Sequence, residues 1–322
     1  MRAAVYYETG PPNVLRYEEV PDPALGPGTV LVRNEAISIE GGDVLHRAGG
    51  ELNRVPHVVG YQSAGTVEAI GDGVTRFAVG DRVTTVGLDG SHAELRVVPE
   101  GFAWRIPDAL RTEDAATVPI PFGTAHDAIF EFGRLAAGDS VLVQAGAGGV
   151  GVAAIQLARR AGARVITTAS SSAKLERLAE LGADEGVNYL EDDLVSEVRR
   201  LTGGRGVDVV VETVGGHVLS DSIRCLAYRG RCVSVGEVGR ESATVVDVGM
   251  LRPQNLTLVG YFMGMEMLMS PRCHALVDGL LERVASGELH AVIDRSFPLA
   301  EAADAHAYIE SRAAFGRVLL RP

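Results

Sequence analysis

The stretch VLVQAGAGGVG at residues 141–151 decides the fold of this chain. The run from Ser140 to Ala145 is apolar and short, which predicts a strand covered on both faces. The glycines at 146, 148 and 151 then follow the G-x-G-x-x-G spacing of a dinucleotide-binding crossover. In such a crossover one glycine permits the tight turn, one lets the backbone approach a pyrophosphate, and one lets the helix pack close to the strand.

The segments around this turn complete a β-α-β unit. Residues 150–161 are apolar on nearly all sides and end before Gly162, which is typical of a helix packed on a sheet. Residues 164–169 form a second strand candidate. The alternative is a glycine-rich turn of an ordinary α/β unit. We predict that a pyrophosphate binds the free N–H groups at the helix start, on Gly146, Gly148, Gly149, Val150 and Gly151.

The end of the second strand indicates which dinucleotide binds. An NAD site usually carries an acidic residue about 20 residues after the glycine turn, where it bonds the ribose 2′-hydroxyl. Here residues 169–174 read ASSSAK, with three hydroxyls and an ammonium but no carboxylate. A 2′-phosphate prefers such donors and positive charge, so we predict NADPH. A compatible alternative is that Ser171 or Ser172 only caps the helix at 173–181 and that Lys174 is solvated.

Composition limits the class of protein and its partners. A chain of 322 residues predicts two domains, and 46% hydrophobic with 22% charged residues indicates a globular protein. The net charge of −12, without a basic cluster, argues against nucleic acid as a partner. The three cysteines are too few for a disulfide framework or a cysteine-rich zinc site. We find no membrane-spanning stretch and no signal peptide, and we predict a cytoplasmic protein without a membrane partner.

Three regions differ in their patterning. Residues 1–120 alternate short apolar segments with Gly and Pro turns, which predicts a mostly β half; a small barrel is one form it could take. Residues 122–262 alternate strands and helices, which predicts a doubly wound parallel sheet. The tail at 263–322 predicts a short α/β segment that ends in a strand at 317–321. The predicted fold class is therefore α/β.

Motifs along nearly the whole chain resemble the medium-chain dehydrogenase/reductase superfamily. Within it, the chain resembles the zinc-independent quinone oxidoreductase and enoyl reductase branch. The motifs are VGYQSAGTVEAIG at 59–71, VGDRV at 79–83, GSHAE at 90–94, the glycine turn at 145–151, GADEGVNY at 182–189, GVDVV at 206–210 and FGRVL at 315–319.

The resemblance implies a domain organisation. Residues 1–121 and 263–322 would form a GroES-like β-rich catalytic domain, and residues 122–262 would form a Rossmann domain that binds NADPH. The active site would lie in the cleft between these domains. Many relatives form homodimers by pairing the strand that matches 256–260, so the resemblance implies a homodimer.

The resemblance also implies contacts to the cofactor. Lys174 and Tyr189 match residues that contact the adenosine 2′-phosphate, and Ser170 and Ser171 flank them. Thr124 matches a residue near the nicotinamide ribose.

Catalytic zinc is not expected. The positions that match the zinc ligands of related alcohol dehydrogenases are Glu40, Tyr61 and about Ile120, and tyrosine and isoleucine are not usual ligands. His46 and His57 could pair with Glu40, but their spacing matches no zinc pattern. We therefore predict no metal site.

Two positions depart from the branch. Relatives usually carry Asn-x-x-Asp in the loop that meets the nicotinamide, whereas this chain reads Glu40-Gly-Gly-Asp43. The glutamate of the G-x-E-x-x-G element is replaced by Gln62.

These departures leave two hypotheses for Glu40. In the first, burial raises the pKa of Glu40 and it donates a proton, a role that Tyr61 or His46 could share. In the second, Glu40 forms an ion pair with Arg47 and only shapes the loop. The candidate catalytic residues are therefore Glu40, Tyr61, His46 and Arg47.

Together these features predict an NADPH-dependent oxidoreductase that transfers hydride to a small conjugated carbonyl, either a quinone or an enone. A biosynthetic reductase of a polyketide-type intermediate is one alternative. A non-catalytic NADPH-binding sensor or scaffold is another.

Overall fold

The computed structural model describes residues 1–52, 54–239 and 244–322. Its strands in chain order are β1 (Arg2–Tyr6), β2 (Arg16–Glu19), β3 (Thr29–Ser38), β4 (His57–Val58), β5 (Gln62–Ile70), β6 (Arg82–Val86), β7 (Leu95–Pro99), β8 (Ala103–Arg105), β9 (Ser140–Val143), β10 (Arg164–Ala169), β11 (Glu185–Asn188), β12 (Val207–Glu212), β13 (Leu226–Ser234), β14 (Thr257–Gly260), β15 (Ile293–Pro298) and β16 (Arg317–Arg321).

The α-helices follow the same chain order. They are α1 (Gly41–Gly49), α2 (Thr112–Ala115), α3 (Pro119–His126), α4 (Gly149–Arg160), α5 (Ser172–Glu180), α6 (Leu194–Leu201), α7 (Gly216–Arg224), α8 (Met263–Met269), α9 (Arg272–Ala285) and α10 (Ala302–Glu310). A π-helical turn, Asp127–Glu131, continues α3.

The chain divides into two compact units. The first unit contains Met1–Gly123 and Gly264–Pro322, and the second contains Thr124–Met263.

The second unit is built on a six-stranded sheet in the order β11-β10-β9-β12-β13-β14, and all its strand pairs are parallel. Numbered from β9, this is the 3-2-1-4-5-6 order of a dinucleotide-binding fold. The central strand β9 is buried along its whole length because helices cover both faces of such a sheet. The prediction of a doubly wound parallel sheet is confirmed.

The first unit contains a seven-stranded sheet in the order β15-β16-β3-β5-β6-β8, with β7 also paired to β3. A second sheet has the order β2-β1-β4. The C-terminal strand β16 pairs antiparallel with β3, where Leu319 lies opposite Ser38 and Leu320 opposite Ile37. This register completes the GroES-like sheet with the tail of the chain and carries Arg317 to the end of β3.

Strand patterning in the first half of the chain does not predict α2 and α3. The sequence of α3 is PIPFGTAH, which contains two prolines and a glycine. Such residues normally interrupt a helix, and the segment has no apolar stripe to mark one face.

Candidate active site

The glycine turn connects β9 to α4 in the second unit. Helix α4 begins at Gly149, and Gly148 is its N-cap residue without a capping side chain. The first N–H groups of a helix have no acceptor within the helix, and the helix dipole is positive at this end. The turn therefore presents the donors that an anion requires.

The glycines differ in what surrounds them. A Cβ on Gly151 would lie 2.5 Å from the Ala145 carbonyl oxygen and 2.7 Å from the Gly146 Cα. A Cβ on Gly146 would lie 2.1 Å from the Thr167 Oγ1. Gly148 is exposed, and its nearest neighbour to a Cβ is 3.3 Å away. Two glycines thus allow close packing and the third leaves the outer face open, so this turn fits a dinucleotide pyrophosphate.

A buried chain of hydrogen bonds supports this turn from below. Ala145 has a positive φ of 49°, and its N–H donates to the Thr168 Oγ1 at 3.0 Å. Thr168 donates to the Gln144 Oε1 at 2.8 Å, and the Gln144 Nε2 donates to the Ser222 Oγ at 2.9 Å. These side chains hold the turn against β10 and α7. Their roles could not be predicted from sequence because their partners are distant along the chain.

The predicted 2′-phosphate residues lie near the ends of β10 and β11. Ser170 follows Ala169, the last residue of β10, and Ser171 is the N-cap of α5, where its Oγ accepts from the Lys174 N–H. Tyr189 follows β11, is 40% exposed, and donates its N–H to the Ala169 carbonyl. The structure brings these residues to one edge of the sheet, and Ser171 caps the helix as well. Their contact with a 2′-phosphate stays a prediction.

Thr124 lies in α3, at the first residue of the second unit. It is buried, with 6% exposed. Its contact with a nicotinamide ribose also stays a prediction.

In the first unit, two buried acids lie at the start of α1. Glu40 is the N-cap residue, and Asp43 is fully buried. The carboxylate of Asp43 accepts from the backbone N–H of Glu40 at 2.8 Å and of Tyr61 at 3.1 Å. Burial, together with the charge of Glu40, raises the pKa of Asp43 to about 8. Asp43 therefore fixes the turn at the start of α1 and links it to Tyr61, the residue before β5.

Glu40 has two side-chain partners. Its Oε1 accepts from the Gln62 Nε2 at 2.5 Å and forms an ion pair with Arg317. The guanidinium of Arg317 also donates to the Ser38 Oγ at 2.8 Å and to the Ile39 carbonyl. Burial raises the pKa of Glu40 to about 7, although Arg317 and Gln62 act in the opposite direction.

The hypothesis of a Glu40–Arg47 ion pair is wrong. Arg47 is fully buried, donates to the Gly10 carbonyl and forms an ion pair with Glu310 of α10. Residues seven apart on a helix are separated by about 10 Å along its axis, too far for this contact. The ion-pair partner of Glu40 is Arg317. The sequence signal for Arg317 was an arginine at the start of an otherwise apolar buried strand.

Tyr61 and His46 have different surroundings. Tyr61 is half-buried, and a Cβ on Gly42 would lie 2.4 Å from its ring. Burial raises the pKa of Tyr61 to about 12, and its hydroxyl has no hydrogen-bond partner among the residues described. The His46 Nδ1 lies 2.7 Å from the Tyr6 hydroxyl, and the ring stacks on His57 with centroids 4.7 Å apart. The structure thus places Glu40 and Tyr61 around Asp43, while His46 packs with other aromatic rings.

Within residues 1–52, 54–239 and 244–322, no group of three or more His, Cys, Asp or Glu side chains could hold a metal ion. Ile120, at the third position that matches a zinc ligand, donates its backbone N–H to Gln62. Among the helices in this described part, none has the length and apolarity required to cross a bilayer.

Comparison with known proteins identifies the class. Residues 26–108 match the family described as the alcohol dehydrogenase GroES-like domain, and residues 149–281 match the family described as zinc-binding dehydrogenase. The chain therefore belongs to the medium-chain dehydrogenase/reductase superfamily, in its quinone oxidoreductase-like branch.

Individual relatives extend over the whole chain. A 2-haloacrylate reductase of Burkholderia sp. is 35% identical, over 99% of this chain and 98% of that protein. A quinone oxidoreductase of Pseudomonas aeruginosa is 34% identical, over 97% of each chain. The crystal structure of Escherichia coli quinone oxidoreductase complexed with NADPH has a TM-score of 0.95 at 29% identity and 100% coverage of both chains.

Proposed function

We propose that this protein is an NADPH-dependent reductase that transfers hydride to a conjugated carbonyl, either a quinone or an enone. The observation that carries the proposal is the glycine turn before α4, with hydroxyls and an ammonium but no acid at the end of β10. The relatives that reduce quinones and 2-haloacrylate, one of them solved with NADPH, support the same reading.

The second unit would bind the cofactor in three places. The N–H groups of Gly149, Val150 and Gly151 would bind the pyrophosphate, and Lys174 and Tyr189 would contact the 2′-phosphate. When bound, NADPH would supply the hydride that reaches the electrophilic carbon of the substrate.

The first unit would supply groups for the substrate. As negative charge develops on the substrate oxygen, the Tyr61 hydroxyl would donate a hydrogen bond and remain protonated, because burial raises its pKa to about 12. Glu40, whose pKa burial raises to about 7, would then supply the proton. We assign Arg47 a structural role because its guanidinium is buried against Gly10 and Glu310. His46 would keep an orienting role at most, since its ring packs against its neighbours.

The proposal also includes zinc independence and a homodimer. Reduction of a conjugated carbonyl by hydride requires donors to the oxygen, which Tyr61 and Glu40 would provide without a metal.

Strand β14 lies at an edge of the second unit's sheet, where a second copy could pair with it.

The test is NADPH oxidation by the full-length protein over a panel of simple enones and benzoquinones. We expect turnover with at least one of these classes, unaffected by EDTA. Glu40→Gln should lower kcat by about 100-fold, the lower range for loss of an acid catalyst, whereas exposed Glu68→Gln should not change it. Tight NADPH binding without turnover across the panel would contradict the proposal and favour a sensor or scaffold.

A further inference from the structure

The two departures from the branch pattern are in direct contact. Glu40 and Gln62 are 22 positions apart in sequence, yet the Gln62 Nε2 lies 2.5 Å from the Glu40 Oε1. Glu40 is 5% exposed and Gln62 is fully buried.

The orientation of the Gln62 amide is determined by its surroundings. Its Oε1 accepts from the Ile120 backbone N–H at 3.0 Å. A flipped amide would place its NH₂ group against this N–H, two donors facing each other, and would remove the donor that Gln62 offers to Glu40. Gln62 therefore presents its NH₂ to Glu40 while its oxygen is bonded to α3.

Charge constrains the two positions as a pair. The side chain of Arg317 is 9% exposed and forms an ion pair with Glu40. A further carboxylate at position 62 would add a buried negative charge next to Glu40, and an amide at position 40 would remove the carboxylate that pairs with Arg317.

We infer that Gln62 is a positioning residue for Glu40. This inference rests on the proposed function, in which Glu40 supplies the proton. Gln62 acts through Glu40: its amide holds the carboxyl and ties it to the backbone at the start of α3.

The test is a double-mutant cycle in the full-length protein, with Glu40→Gln, Gln62→Glu and the double exchange. The readouts are kcat and KM for the enone or quinone that the parent reduces, the dissociation constant for NADPH, and the urea midpoint. We expect each single variant to lose at least about tenfold in kcat/KM. If the two positions were independent, the double exchange would lose the product of the two single losses in kcat/KM. We expect its kcat/KM to be at least about tenfold higher than that product predicts. The NADPH dissociation constant should stay within about twofold throughout, because the cluster belongs to the first unit.

A control cycle uses the exposed Glu68 of β5, which forms an ion pair with Arg33 of β3. Glu68→Gln combined with Gln62→Glu should be additive in both activity and stability. Additive effects in the Glu40–Gln62 cycle would overturn the inference. Coupling in the urea midpoint without recovery of kcat would also overturn it, because the pair would then be only structural.

Failure of the proposed function has a different signature. A parent protein that turns over no enone or quinone would contradict the function. An active parent with additive effects in the Glu40–Gln62 cycle would instead contradict the inference alone.

Discussion

Buried ionisable side chains in the first unit respond to pH in opposite directions. Burial raises the pKa of Glu40 to about 7 and that of Asp43 to about 8, from ordinary values of 4.5 and 3.8. The stability they contribute is present below those ordinary values and is lost as the pH rises through 7 and 8. The pKa of His92 shifts in the opposite direction, because burial and the nearby charge of Arg96 lower it to about 3.

His92 should therefore destabilise the protein in acid. It is fully buried, and its Nε2 lies 3.1 Å from the Nε2 of His306, so that one neutral ring donates to the other. The unfolded chain takes up a proton near pH 6.5, but the folded chain does not until about pH 3. We expect the free energy of unfolding to fall between these values by up to about 1.4 kcal/mol per pH unit from this residue.

Urea unfolding at several pH values between 4 and 7 measures this effect. Relative to the parent, His92→Gln should lose less stability, or gain more, as the pH falls from 7 to 4, whereas exposed His217→Gln should follow the parent. An unchanged slope in His92→Gln would show that the histidine pair does not control acid stability.

At the scale of single residues, the partners of Glu40 could not be predicted from sequence. Glu40 was singled out because it departs from a motif. Its partner Arg317 lies 277 positions away, and only the pairing of β16 with β3 brings them together. Arg47 was the wrong choice because it is close in sequence but two helical turns away in space.

Among the elements, the turn from β9 to α4 has the strictest requirements. Its close approach depends on Gly151, whose missing Cβ leaves room for the Ala145 carbonyl and the Gly146 backbone. Its conformation depends on the bond from the Ala145 N–H to Thr168. Glycine spacing predicted this turn from sequence since the requirement is local. The bonds through Gln144 and Ser222 could not be predicted, because they depend on how β9, β10 and α7 pack.

Gly151→Ala should separate α4 from the turn. The atoms that its Cβ would meet are backbone atoms, which cannot move as a flexible side chain would. We expect NADPH affinity to fall by at least about tenfold, together with a loss of stability of about 1–3 kcal/mol. Fluorescence titration and thermal unfolding measure the two effects.

The matched control for this change is Gly279→Ala in α9. No atom lies within 4 Å of a Cβ at that position, which is an exposed helix site. Alanine there should stabilise the protein by about 0.5–1 kcal/mol and leave NADPH binding unchanged. Equal NADPH affinity in Gly151→Ala and the parent would contradict the role of this turn.

Over the whole molecule, sequence patterning was sufficient to predict the sheet of the second unit but not the sheet of the first. Alternating strands and helices specify a parallel sheet, because each helical crossover returns the chain to run parallel to the previous strand, with a fixed handedness. In the first unit, β15 and β16 join a sheet whose other strands lie more than 180 positions earlier. Local periodicity carries no information on such a pairing. Only the resemblance to a family indicated that the tail completes the first domain.

The central claim is that the second unit binds NADPH in preference to NADH, and isothermal titration calorimetry with both cofactors tests it most directly. We predict that NADPH binds at least about tenfold more tightly than NADH, and that Lys174→Met removes most of the difference by weakening only NADPH. Absence of heat with either cofactor, or tighter binding of NADH, would contradict the account.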